Sequence, residues 1–123
     1  MDNPNKHRPG IAHVWYAIPV AWQGLKAAWH HEDAFRQELL VALVAIPVAL
    51  IADATAVGRA LLVGSILLVL IVELLNSALE AAVDHTSLEP HPLAKRAKDI
   101  ASAAVLLSIA NAVAIWGLVL LSG

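Results

Sequence analysis

Three apolar runs punctuate the chain: Leu39 to Ala52, Ala60 to Val83 and Ile100 to Leu121. The second and third have about the ~20-residue length at which a helix crosses a bilayer. The first is short, and it reaches that length only if it extends backwards through Ala34 and Phe35, with Pro47 tolerated inside it as a possible bend. The pattern predicts an all-α membrane protein with transmembrane helices over about residues 34–52, 58–84 and 98–121. Ahead of them, in IAHVWYAIPVAWQGLKAAWHH, Trp15, Trp22 and Trp29 recur every seven residues and fall on nearly one helical stripe. His13, Gln23, Lys26 and His30 are distributed around that stripe. Residues 11–31 therefore read as an amphipathic surface helix at the headgroup level, broken near Pro19, or as a Trp-rich patch packed on the bundle. Residues 1–10 read as a polar tail, and no signal peptide is expected there.

Composition sharpens this picture. Of 123 residues, 59% are hydrophobic and 15% charged, which sets the chain apart from ordinary soluble domains. The length allows one domain with little core for its surface, so self-association as a homo-oligomer is expected. A net charge of −2 gives no reason to expect a nucleic-acid partner, and the lack of cysteine excludes disulfides and thiolate chemistry. Lys6, Arg8, Lys26 and Arg36 precede or begin the first span, and Lys95, Arg96 and Lys98 separate the second from the third. Arg59 alone lies between the first and second. The positive-inside rule then places the N-terminus and the segment from His85 to Asp99 in the cytoplasm and the C-terminus outside.

The second span carries the chemistry. Within VELLNSALEAAVD, Glu73, Glu80 and Asp84 fall within about 40° of one another on a helix, flanked by Asn76 and Ser77. Ionised carboxylates in hydrocarbon cost at least a few kcal/mol each, so the row demands cations, water or hydrogen-bonding partners. A purely structural account pairs Glu73 or Glu80 with Lys98, or bonds them to Asn111 and Ser108. A functional account places a hard cation such as Mg²⁺ on carboxylate and phosphate oxygens, with the deeper Glu73 suited to proton abstraction. Glu32 and Asp33 lead into the first span; Glu32 is at helical spacing from Arg36 for a local ion pair, and is equally placed to give a metal a second carboxylate. His30, His31, His85 and His91 lack metal-binding spacing. No phosphate-cradling glycine loop occurs, which leaves LAKRAKD, with Lys95, Arg96 and Lys98, to meet phosphates or simply to anchor the cytoplasmic edge.

Taken together, AAWHHEDAFRQE, IVELLNSALEAAVD and HPLAKRAKDIASAAVLL, in this order, closely resemble the small integral-membrane diacylglycerol kinase family of bacteria, from about Trp22 to the end. The resemblance implies homotrimers of three transmembrane helices plus a surface helix, with active sites shared between protomers in the inner membrane. It implies transfer of the γ-phosphoryl of Mg-ATP to diacylglycerol, giving phosphatidic acid. By the same resemblance Glu73 is the base, supported by Asn76, and Glu32 and Glu80 hold the Mg²⁺ that accompanies ATP. Glu89, Pro90, His91, Lys98 and Asp99 would form the nucleotide pocket, with His13 and Val20 near the nucleotide. Trp22, Lys26, Trp29, Ala34, Phe35, Arg36, Gln37, Glu38, Arg59, Ser102 and Trp116 would line the lipid's path, together with Glu73. The chain departs from the family pattern at His13, Val20 and Pro90, where arginine, tyrosine and an aromatic residue are common, which bears on nucleotide affinity and base preference. Undecaprenol kinases share the ExxNSxxE and HPLAKxAKD signatures and are the alternative, and a non-catalytic membrane oligomer is the rival of another class.

Overall fold

The computed structural model describes residues 10–86 and 91–122. They form four helices: α1 (Gly10–His31), α2 (Asp33–Ile51), α3 (Ala56–Thr86) and α4 (Pro92–Leu121). Two compact units emerge from the packing, the first ending at Glu32 and the second beginning at Asp33. In the first unit α1 runs through Pro19 without the expected break. A proline removes one backbone bond, and the helix persists on either side of it. Along α1, Trp15 and Trp22 are exposed, as are Ile11, Val14 and Ile18.

In the second unit α3 packs against both α2 and α4. On α2 the buried residues are Phe35, Ala42 and Ala49, spaced by seven and so aligned on one seam. Facing them, α3 buries Leu62, Ser65, Val69 and Glu73, and α4 buries Ser108 and Ala112. Alanine and serine dominate these contacts, as expected where helices pack by close backbone approach and not by exclusion of water. Leucines, valines and isoleucines populate the outer faces instead, among them Leu43, Val44, Leu106, Leu107 and Leu118. Such a surface suits lipid, and by length and composition α2, α3 and α4 can each cross a membrane.

Local chemistry sets the ends. Thr55 caps α3, its hydroxyl oxygen accepting the Gly58 N–H at 3.0 Å. Arg59 Nε donates to the Ala52 carbonyl at 3.0 Å, just past the C-terminus of α2. His91 caps α4, with extended backbone and Nδ1 accepting the Leu93 N–H at 3.0 Å, and Pro92 opens the helix. This cap starts α4 earlier than the expected residue 98, and α3 continues beyond 84. The spans expected from hydropathy are the apolar cores of longer helices. At 31 residues, α3 is about 46 Å long, against a hydrocarbon layer of about 30 Å. The surplus accommodates polar residues.

Far from the carboxylates along α3, Trp116 Nε1 donates to Ser65 Oγ at 3.1 Å and to the Leu62 carbonyl at 3.2 Å, joining α4 to α3. Trp116→Phe is expected to cost about 0.6–1.7 kcal/mol of bundle stability, the scale of a hydrogen bond between membrane helices. The measurement is the unfolding midpoint in detergent, which should fall while the KM for Mg-ATP stays at its wild-type value.

Candidate functional site

The polar row on α3 is real and graded. Glu73 is buried at 4% exposure, Asn76, Ser77 and Glu80 are half-buried, and Asp84 is exposed. Burial decreases toward the C-terminal end of α3, so a single helix face runs from a dry carboxylate to a solvated one. Among the described residues, three buried side-chain oxygens have no hydrogen-bond partner: Glu38 Oε2, Asn76 Oδ1 and Ser77 Oγ. Buried polar atoms are as a rule hydrogen-bonded, so each of these oxygens calls for a partner such as water, an ion or a ligand. The hydroxyls of Ser65 and Ser108, by contrast, are satisfied within their own helices by the Leu62 and Val105 carbonyls, at 2.8 and 2.7 Å.

Two elements meet at Glu73. The α2 carboxylate of Glu38 lies within electrostatic reach of it, so two acidic groups from neighbouring helices converge in an apolar setting. Glu38 also lines a cavity of about 250 Å³ whose other walls, including Val41, Ile66, Val69 and Ile109, are apolar. One carboxylate at the edge of an apolar hollow suits a molecule with a polar head and a hydrocarbon body.

One turn further along α3, Asn76 Nδ2 donates to Glu80 Oε1 at 3.4 Å and orients that carboxylate. The unpartnered Asn76 Oδ1 beside it adds a hard oxygen. These donors fit Mg²⁺, which takes one or two carboxylates and completes its octahedron with water and phosphate oxygens, so that no cluster of three protein ligands is required. Among the described residues no such cluster exists.

The ion pairs differ from the structural account offered by the sequence. Lys98 pairs with Asp84 at 2.5 Å, across α3 and α4, and not with Glu73 or Glu80. Ser108 bonds its own helix, and Asn111 is exposed. Arg36 pairs with Asp33 on α2. Glu32 lies between α1 and α2, outside both helices.

The remaining expected residues sort by element. On α1, His13, Val20, Trp22, Lys26 and Trp29 are exposed, and Glu32 beyond its end is half-buried. Glu89 and Pro90 lie outside the described residues. His91 uses Nδ1 for its cap, which leaves Nε2 as the atom able to meet a ligand. Asp99 is held by Lys95 on α4 at 2.7 Å. Ala34, Gln37 and Ser102 are exposed and Arg36 is half-buried. Phe35, at 2% exposure, belongs to the α2 seam and has no free face for a lipid. Arg59 is about 21 Å from Glu73 along α3, and Trp116 is bonded near Leu62, so neither can touch the reacting group of a molecule bound at Glu73. The sequence reading left two residues out of the catalytic and nucleotide groups: Glu38 as the neighbour of Glu73, and Asp84 as the partner of Lys98. The first is a tertiary contact without sequence signal, whereas the second is on the stripe already recognised.

Comparison with known proteins gives this arrangement a lineage. The family model for prokaryotic diacylglycerol kinase matches residues 19–120. A diacylglycerol kinase of Escherichia coli K12 is 48% identical over 92% of this chain and 93% of its own. The diacylglycerol kinase of Pseudomonas aeruginosa PAO1 is 44% identical over 97% of both chains, and that of Helicobacter pylori 26695 is 42% identical over 92% of this chain and 88% of its own. With a match that spans all three apolar helices and the whole polar row of α3, the chain belongs to the prokaryotic diacylglycerol kinase family.

Proposed function

We propose that this protein is an ATP-dependent diacylglycerol kinase that makes phosphatidic acid, and that Glu73 is its general base. The observation that carries the reading is the graded carboxylate face of α3, with a buried Glu73 and a half-buried Glu80 about two turns nearer solvent, and an apolar hollow lined by Glu38, which is within electrostatic reach of Glu73. A lipid hydroxyl and a nucleotide phosphate can meet only where hydrocarbon gives way to water, and α3 crosses that boundary with its carboxylates in a row.

In the proposed mechanism diacylglycerol enters with its acyl chains among the apolar walls and its free hydroxyl at Glu73. Glu73 takes the hydroxyl proton as the oxygen bonds to the γ-phosphorus and the bond from that phosphorus to the ADP oxygen breaks. The transition state is loose, so positioning and charge neutralisation supply most of the rate. Glu38 lines the lipid's cavity and keeps a second carboxylate beside the base. Asn76 orients Glu80, which with Glu32 would hold the cation; Mg²⁺, when bound, neutralises charge on the phosphates. Lys98 and Asp99 at the start of α4, with His91 at its cap and Glu89 and Pro90 before it, would bind the nucleotide, joined by His13 and Val20 from α1. Trp22, Lys26, Trp29, Ala34, Arg36, Gln37 and Ser102 are assigned to the lipid's approach, and Phe35 to packing beneath it. Arg59 and Trp116 would reach only the far ends of the acyl chains.

The proposed assembly is a homotrimer with shared sites in the inner membrane, with α1 along the headgroups and the Asp84–Lys98 end in the cytoplasm. The outer apolar faces of α2 and α4 and the Lys and Arg distribution support it.

The test is labelling from γ-labelled ATP, with 1,2-diacylglycerol and undecaprenol offered separately at equal mole fraction, with and without Mg²⁺. Magnesium-dependent labelling of diacylglycerol, faster than of undecaprenol, is expected. Faster labelling of undecaprenol keeps the chemistry and changes the substrate, and labelling of neither by folded protein removes the kinase reading.

A further inference from the structure

The proposed mechanism uses Lys98 at the nucleotide but gives its partner Asp84 no part. It bridges α3 and α4 at 2.5 Å, with side-chain exposures of 62% for Asp84 and 39% for Lys98. An ion pair this open to water contributes little to stability, so anchoring the two helices is a poor explanation for it. Its location is more informative. Asp84 is one helical turn beyond Glu80 on the same face of α3, about 6 Å along the axis. Glu80 is the next carboxylate within electrostatic reach of the Lys98 ammonium. An ammonium released from Asp84 would therefore move to Glu80 and neutralise it.

We infer that Asp84 is a positioning residue: it holds the Lys98 ammonium on the solvent side of Glu80, which leaves the Glu80 carboxylate charged and open for a divalent cation. The inference rests on the kinase reading for the identity of that cation's cargo, Mg-ATP, and adds to it a residue to which no ligand contact is assigned. The second consequence of the same pairing is that the Lys98 ammonium is held at Asp84, one turn from Glu80, where the kinase reading brings the phosphates that accompany the cation. A lysine ammonium is a compact point charge able to meet phosphate oxygens through charge-assisted hydrogen bonds.

The experiment is a double-mutant cycle on the full-length protein in mixed micelles, with free Mg²⁺, Mg-ATP and diacylglycerol varied separately. Asp84→Asn is expected to raise the apparent constant for free Mg²⁺ about ten- to a hundredfold, the usual effect of losing a group that orients a metal ligand. The KM for diacylglycerol should stay within about twofold, because that substrate binds at Glu73, and Asp84→Glu should recover most of the loss. In a Lys98→Gln background, Asp84→Asn should have no further effect on the Mg²⁺ constant, since no ammonium remains to be misplaced. An unchanged Mg²⁺ constant in Asp84→Asn overturns the inference. So does an equal effect of Asp84→Asn with and without Lys98, which would make Asp84 a direct ligand. Asp84→Ser provides a second neutral variant if Asp84→Asn does not fold. Binding of Mn²⁺ in the presence of a non-hydrolysable ATP analogue, followed by electron paramagnetic resonance, reads the same constants without turnover. Wild-type protein that labels no lipid would overturn the kinase reading; active wild type with an Asp84→Asn variant indistinguishable from it would overturn this inference alone.

Discussion

Glu73→Gln is expected to fold, to assemble and to bind both substrates, yet to lose about 10²- to 10⁴-fold in kcat, the range over which a positioned base acts. The amide has the shape of the carboxylate it replaces, so the packing around this buried position of α3 is kept. What disappears is the capacity to take a proton from the lipid hydroxyl. Because the change removes an interaction made in the transition state, kcat and kcat/KM should fall together while the KM for diacylglycerol moves little. Measured by initial rates across a range of lipid mole fractions, near-wild-type turnover in folded protein would take Glu73 out of the chemistry. Glu38 supplies the control on place: it stands beside Glu73 and lines the apolar cavity. A loss confined to the lipid KM on changing Glu38 would separate its role from that of the base.

Glu80→Gln should behave differently. With the charge gone the Asn76 amide still finds an oxygen to donate to, so local structure survives. The cation loses a charged ligand, and affinity for Mg²⁺ should fall about ten- to a hundredfold, raising the KM for Mg-ATP as well as lowering kcat. High free Mg²⁺ should restore part of the rate in Glu80→Gln and none in Glu73→Gln. The contrast between the two variants assigns the two ends of the stripe to different substrates, and equal rescue of both by Mg²⁺ would collapse that assignment.

Much of this was legible before any coordinates. Glu73, Asn76, Ser77, Glu80 and Asp84 are close in sequence on one continuous helix, and 3.6 residues per turn is enough to align them. Hydropathy located α2, α3 and α4 but cut α3 and α4 short, because it responds to the apolar middle of each helix and is blind to a cap such as His91 and Pro92. Partner choice was the weak link. Lys98 has three acidic residues of α3 within plausible reach, and only the relative height of two helices decides that Asp84 is the one that meets it. The approach of Glu38 to Glu73 depends on the α2 seam of Phe35, Ala42 and Ala49 fixing the register of α2 against α3. Trp116 was placed on the lipid's path by family resemblance alone, and no sequence pattern announces that its indole N–H is bonded to Ser65 and the Leu62 carbonyl.

The length of α3 has one further consequence. Glu73 and Glu80 are about 10 Å apart along a single rigid rod, so they cannot adjust their depths independently when the surrounding bilayer swells or thins. Membranes of different composition vary by a few ångströms in hydrocarbon thickness. A thicker bilayer would draw Glu80 toward hydrocarbon and penalise its charge, and a thinner one would admit water to Glu73. The rod is thus a gauge, and the catalytic optimum should fall at one acyl-chain length of the host lipid and decline on both sides of it.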